Sequence, residues 1–390
     1  MRVLNKIIAL RSHFHITFLG LAHPEQLAEN QKALAELVDE AIVLPMRSQQ
    51  GIGNYLWYAT WSHAQAIYSG LRASNHLIGD FELSPERIEG QCDPASFDLV
   101  LYEYWHTHTS LALFKKNNIP CVLDMHDLCW RVVARRLQHW VVPAGLRHWR
   151  VKAYRQQEES AWGKYDLLIT INREEEHYVQ RTLPGKATVY APMGIDTEQQ
   201  WAYGWRPADP PRIAFYGALG SLGNQLGVSR CLEQIMPLVW QYRPETEFWI
   251  VGGNPSAEIR QMAQHPQVHV TGFVPNVAET LASMTLVLCP WQGTFGFRSR
   301  VVEVMALGLP VVATADAVFG MGLHEKQGLL LAEDDQGLAN HCLTLLNDPA
   351  GAKQHSLFAR EQVVDQYSFA TTYGYLASQL YHYAQTKRSN

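Results

Sequence analysis

Short apolar runs of three to six residues alternate along the chain with longer stretches whose apolar positions recur every three or four residues. That alternation predicts parallel sheets flanked by helices. In the first half, Ile16–Leu21, Ala41–Leu44, Leu99–Tyr102, Val122–Asp124, Leu167–Thr170 and Thr188–Tyr190 read as strands. In the second half the strands are Ile213–Tyr216, Phe248–Val251, Val268–Thr271, Leu286–Cys289, Val311–Ala313 and Gly328–Leu331. Helical patterning covers Gln225–Tyr242, Ala257–Gln264 and Ser299–Leu307, and a last helix, Phe369–Thr386, closes the chain. Between the halves, Thr197–Arg212 holds Gly204, Pro207, Pro210 and Pro211 without periodicity and reads as a linker. The expected architecture is α/β, with two Rossmann-like domains over residues 1–200 and 201–368 and a terminal helix over 369–390 that crosses back. One feature departs from a doubly wound plan. Arg2–Arg11 reads as a helix, with Val3, Leu4, Ile7, Ile8 and Leu10 apolar, ahead of any strand. Such a domain normally opens on a strand and a glycine-containing turn. The usual first strand is therefore expected to be missing.

Composition narrows the class. The 390 residues are 47% apolar and 18% charged, which suits folded domains and excludes a disordered or low-complexity chain. A net charge of -5 argues against a basic surface for nucleic acid, so no nucleic-acid partner is expected. No apolar run approaches the ~18–20 residues of a spanning helix. The start carries Arg2, Lys6, Arg11, His13 and His15 and does not resemble a signal peptide. Six scattered cysteines without a CxxC pair read as reduced thiols. The expectation is a cytoplasmic protein, at most peripheral on the inner face of a membrane. Its oligomeric state is open.

Two turns and one long stretch carry candidate chemistry. In 293–314 a loop with Gly296 leads into a helix, a stop at Gly308 and Pro310, and a buried strand. A helix N-terminus behind a glycine offers unpaired N–H groups to a diphosphate. Arg298 and Arg300 add cations, and Glu303 lies one turn after Arg300, where its carboxylate could accept from ribose hydroxyls. An ordinary solvated Arg–Glu pair is the competing reading. In the first half, His126 follows the strand ending at Asp124, where a substrate would meet the loop, or it caps that loop with Asp127. His106 and His108 suggest a metal, but no third ligand is evident, and they read as loop polar groups. Residues 128–157 hold seven Arg or Lys, three Trp and no carboxylate. That composition suits an anionic membrane surface or an anionic lipid-linked acceptor, and equally a helix with a solvated basic face. Aromatics in Tyr55–Tyr68 read as core packing before an acceptor cleft.

The run Val302–Val312, VEVMALGLPVV, resembles the donor-binding signature of retaining glycosyltransferases of family 4, which have the two-domain GT-B fold. Other segments fall in that family's order: Asp166–Ile171 with Glu175, Pro192–Asp196, Phe215–Gly217, Phe248–Gly252 and Val270–Val274. Asn172 stands where the family often has Ser, and Phe295 where it often has a first glutamate. The run Gly296–Glu303, GFRSRVVE, is closer to a subgroup with a G-x-R-x-K-V-x-E pattern. No cation follows the Gly217 turn, where many members carry one. The resemblance implies a donor site of Gly217, Asn224, Val274, Phe295, Gly296, Phe297 and Glu303. In it Glu303 holds the ribose, Arg298 and Arg300 neutralise the departing diphosphate, and His126 contacts sugar or acceptor. It further implies a nucleoside-diphosphate sugar donor, a glycan or lipid-linked acceptor, retention, and no metal or other cofactor. The rival expectations are a GT-B nucleotide-sugar epimerase and a truncated, non-catalytic nucleotide-sugar-binding protein.

Overall fold

The computed structural model describes all residues except 1, 70–77, 139–140, 142, 199–202, 294–295, 324, 326–327 and 389–390, and only the backbone of 62–63 and 65–69. All twelve apolar runs form strands, within a residue of the expected ends, and every described pairing is parallel. Two compact units result, Met1–Ala191 with Tyr373–Asn390, and Pro192–Thr372.

The first unit opens with helix α1 (Arg2–Leu10), β1 (Thr17–Ala22), α2 (Leu27–Ala35), β2 (Glu40–Pro45) and α3 (Ile52–Ser69). It continues with β3 (Val100–Glu103), β4 (Cys121–Asp124), α4 (Cys129–Gln138), α5 (Ala144–Lys164), β5 (Leu167–Thr170), α6 (Arg173–Thr182) and β6 (Thr188–Tyr190). Here β3-β4-β5-β6 form a four-stranded sheet, while β1 and β2 form a separate pair. Among the described residues no strand joins β1 to β3, so the six strands make two sheets. Every residue of β4 and β5 is buried, which is why these strands read as unbroken apolar runs and not as alternation.

The second unit has a six-stranded sheet in the order β12-β11-β10-β7-β8-β9. Its strands are β7 (Arg212–Tyr216), β8 (Glu247–Val251), β9 (Val268–Gly272), β10 (Leu286–Cys289), β11 (Val311–Ala313) and β12 (Leu329–Leu331), with α7 (Ser299–Ala306) between β10 and β11. The chain leaves β7 toward β8 on one side and returns to β10 on the other. The gap between β7 and β10 is therefore a topological switch point, where parallel sheets bind ligands beyond the strands' carboxyl ends. The expected helix Gln225–Tyr242 is broken into Leu222–Arg230, a wide turn Cys231–Ile235, and Met236–Trp240. Pro237 lacks an N–H and crowds the preceding turn, and the ladder widens to accommodate it.

The boundary between units falls at 191/192, earlier than the expected 200/201. Ile195 bonds through its N–H to Tyr367 and bridges Ser368. The described part of 197–212 is laid on the second unit and is not a free linker. Trp205 donates to the Met284 carbonyl at 2.9 Å, and Arg206 N–H bonds to Ala282. The last helix, α8 (Tyr375–Arg388), starts after a wide turn Ala370–Gly374 and belongs to the first unit, where Leu376 and Leu380 pack with Val122, Leu167 and Ile169.

Candidate functional site

In the second unit the carboxyl edge of the sheet gathers most of the residues singled out from the sequence. Tyr216 ends β7, and its hydroxyl donates to Glu303 Oε2 at 3.0 Å. Arg300, in the first turn of α7, reaches both oxygens of Glu303 at 2.8 and 2.6 Å and lies 4.7 Å from the centre of the Tyr216 ring. The Glu303 carboxylate raises the Arg300 guanidinium above its ordinary value even though burial opposes it. Burial, with the same carboxylate beside it, pushes the Tyr216 phenol up. The three side chains are one charged, partly buried cluster.

A second group lies at the switch point. Asn224 sits against Gly217, where an added Cβ would come 2.7 Å from its Nδ2. Its Oδ1 accepts from Trp291 Nε1 at 2.9 Å, and Nδ2 donates to the Ala218 carbonyl at 2.9 Å. Arg298 stands 5.2 Å from the Trp291 ring and donates to the Gly293 carbonyl at 3.0 Å. The turn is tight enough that a Cβ on Gly252, just past β8, would lie 1.8 Å from the Gly217 carbonyl oxygen. Gly296 takes a left-handed φ of 70°, a conformation glycine adopts without strain. The Phe297 ring turns to Tyr367 (centroids 5.7 Å) and packs, partly buried, against the core. Val274 packs on the core two strands away, beyond β9. Phe295 lies outside the described residues. Arg298 therefore belongs with Asn224 and Trp291, and Arg300 with Glu303 and Tyr216.

In the first unit the register pairs Glu103 with Asp124, so both carboxylates stand at the ends of adjacent strands. Asp124 is fully buried and receives the Arg2 guanidinium on both oxygens, at 2.8 and 3.1 Å, together with Lys6 Nζ. Lys6 also touches Glu103 at 2.6 and 2.7 Å. Burial would raise the Asp124 carboxyl, but Arg2 and Lys6 outweigh it and hold it well below the usual carboxylate range. His126 Nε2 lies 2.5 Å from Glu103 Oε2, and the Tyr104 ring stacks on the imidazole at 4.2 Å and 14°. Glu103, Asp124 and His126 bring three donor atoms within 4.8 Å of one another, but Lys6 and Arg2 already match their charge. His106 and His108 are hydrogen-bonded within the fold, to Tyr154 and to the Trp105 carbonyl.

Sequence reasoning missed Arg2, Lys6, Glu103 and Tyr104. Of the apolar positions of α1, Leu4 and Ile8 are 40% and 46% exposed, whereas Arg2 and Lys6 are buried. The available signal was an acidic residue at the end of two neighbouring apolar strands.

The basic stretch 128–157 divides in two. Arg131 and Arg155 sandwich Trp130 and Tyr178 at 5.1–5.5 Å and are spent on packing α4 and α5 to α6. Leu146 and Trp149 on α5 are exposed, as are Ile52, Tyr55, Leu56, Trp57 and Trp61 on α3, a helix with no charged residue. Tyr55, Trp57 and Trp61 thus face outward where core packing was expected, Tyr58 is half-buried, and the Tyr68 side chain lies outside the described residues. Trp57 nevertheless stacks on Phe81 at 4.4 Å.

Residues 210–348 match the family model of glycosyl transferases group 1. No curated protein matches the chain by sequence. Among solved structures it is similar to sucrose-phosphate synthase from Thermosynechococcus elongatus: TM-score 0.69, 18% identity, 100% of this chain and 93% of that one. It is also similar to HepE of Anabaena in complex with UDP, with TM-score 0.62, 16% identity, and 94% and 99% of the two chains. A glycosyltransferase from Rickettsia africae gives TM-score 0.61 and 12% identity over 95% and 98%. These likenesses establish the fold as that of GT-B enzymes, with two Rossmann-like units.

Proposed function

We propose that the protein is a retaining glycosyltransferase that moves a sugar from a nucleoside-diphosphate sugar to a glycan or lipid-linked acceptor, as in cell-surface or exopolysaccharide synthesis. The observation that carries this reading is the Tyr216–Arg300–Glu303 cluster beside the switch point, inside the stretch matching the group 1 family model. Glu303 offers two oxygens to vicinal ribose hydroxyls. Arg298 and Arg300 stabilise the charge that grows on the diphosphate as the sugar departs. Arg300 bonds to both Glu303 oxygens, and on this reading donor binding exchanges partners, the diphosphate drawing Arg300 and the ribose taking Glu303. The backbones at Gly217, Gly296 and Phe297 approach the diphosphate, Asn224 the donor sugar, and Val274 the base. HepE is in complex with UDP in one structure and with UDP-glucose in another, which supports a nucleotide-sugar donor here.

His126 contacts the sugar or acceptor on this reading. The reaction runs without a metal, because the cationic work at the diphosphate falls to Arg298 and Arg300. The exposed face of α3 and the start of α5, bordered by Arg147 and Lys152, associates with an anionic lipid surface.

The test is calorimetry with UDP and a panel of UDP- and GDP-sugars, followed by nucleoside-diphosphate release with and without acceptor extract. Acceptor-dependent release with one donor is expected. Glu303→Ala should weaken donor binding by about 10- to 100-fold, the loss of hydrogen bonds to a charged group. Unchanged affinity would remove Glu303 from the ribose site. Donor binding without release under any acceptor condition would favour the non-catalytic reading, and interconversion of the donor without acceptor would favour the epimerase.

A further inference from the structure

We propose that Glu103 is the positioning residue of His126, set in turn by Lys6 of α1. The carboxylate fixes the imidazole with its proton on Nε2 and leaves Nδ1 as the acceptor for a hydroxyl of the acceptor substrate. The inference rests on the reading of His126 as a substrate-contacting residue.

The geometry carries it in three steps. Lys6 Nζ donates to both Glu103 oxygens, at 2.6 and 2.7 Å, so Glu103 is an ionised, acceptor-only group. An acceptor-only group 2.5 Å from His126 Nε2 requires the proton on that nitrogen. With the proton on Nε2, the uncharged tautomer carries its lone pair on Nδ1, and among the described residues no hydrogen bond to Nδ1 is seen while the side chain is 12% exposed. Stacking on Tyr104 at 4.2 Å and 14° fixes the plane of the ring, so that the open edge has one direction. Tyr104 and His126 also both take positive φ, 65° and 59°, Tyr104 with an extended ψ of 151°. Non-glycine residues hold such conformations only where the surroundings over-determine them, and here the same stack and the same carboxylate do so. Lys6 answers to Asp124 as well, and Asp124 to Arg2, so one face of α1 holds the strand-end carboxylates in register.

The experiment reads the tautomer directly. The full chain is labelled with 15N-histidine, and long-range 1H–15N correlations are recorded, with His126 assigned by the signals lost in His126→Asn. Wild type should give a pyrrole-like Nε2 and a pyridine-like Nδ1. Glu103→Ala should move His126 to a mixture of tautomers, while Glu103→Gln, which keeps an acceptor oxygen and the volume, should restore most of the wild-type pattern. In turnover assays Glu103→Ala should lower kcat/KM for the acceptor by roughly 100-fold with donor affinity unchanged. Combining it with His126→Ala should add little, as for residues acting as a unit. A wild-type Nδ1–H tautomer, or an unchanged pattern in folded Glu103→Ala, would overturn the proposal. The tautomer is read without donor or acceptor. Absent turnover with the Nε2–H form in place would therefore sink the transferase reading and still support the hold of Glu103 on His126.

Discussion

Individual residues here are decided by what stands opposite them. Asp124 is wholly buried, and its charge persists only because Arg2 and Lys6 meet it. Asp124→Ala leaves Arg2 without its carboxylate and Lys6 with Glu103 alone. Breaking a buried ionic group in this way costs about 3–5 kcal/mol. Urea denaturation followed by a probe in the first unit should register that loss, and a change under about 1 kcal/mol would mean that water reaches the cluster. Tyr216 acts at the same scale in the second unit. Tyr216→Phe keeps the ring under Arg300 and removes one donor to Glu303, so calorimetry should find donor affinity reduced by about 3- to 10-fold with stability nearly unchanged. An unaffected affinity would show that Arg300 alone orients the carboxylate.

At the scale of elements, α4 starts on a buried carboxylate carried by α5. Glu158 accepts from the N–H groups of Cys129 and Trp130 at 2.9 and 2.7 Å, and despite those donors burial pushes its carboxyl up to about 8. Asp127 and Glu175 are raised as well, burial being the first cause in each. A raised carboxyl means that the folded chain binds more protons than the unfolded one between about pH 4.5 and pH 8. The stability of the first unit should therefore fall as pH rises through that window, by about 1.4 kcal/mol for each pH unit in which Glu158 alone differs in protonation. Thermal melts from pH 5.5 to 8.5 should track this, with a shallower slope in Glu158→Gln. A flat profile would place water against Glu158. The spacing of α5 does not announce this carboxylate. It lies in a polar run, Gln156 to Ser160, whose helical position turns one of its two glutamates inward.

At the scale of the whole molecule, surface character separates two uses of the same composition. Arg131 and Arg155 are locked on Trp130 and Tyr178, while Leu146 and Trp149 on α5 and Ile52, Tyr55, Leu56, Trp57 and Trp61 on α3 are left outside. Liposome sedimentation should find binding to vesicles rich in anionic lipid, weakening with salt. Replacing Tyr55, Leu56 and Trp149 by serine should abolish it, whereas neutralising Arg131 and Arg155 should chiefly lower stability. Equal binding by the triple variant would exclude this surface.

The sequence by itself determined the strands and the fold class, because the central strands, buried on both faces, must be apolar without interruption and their spacing leaves room for crossover helices. It also determined the loop–helix segment around Arg298, Arg300 and Glu303, whose members are neighbours along one helix and its preceding turn. Tertiary structure alone decided which unit takes 192–212, since chain order says nothing of the face on which Trp205 finds its partner, whereas the return of the last helix to the first unit was expected. It alone joined Lys6 to Glu103 and Asp124, and Glu103 to His126, across separations of 97, 118 and 23 residues. A buried charge can be tolerated only where a counter-charge arrives from elsewhere in the chain, and that meeting is a property of packing and not of any local pattern.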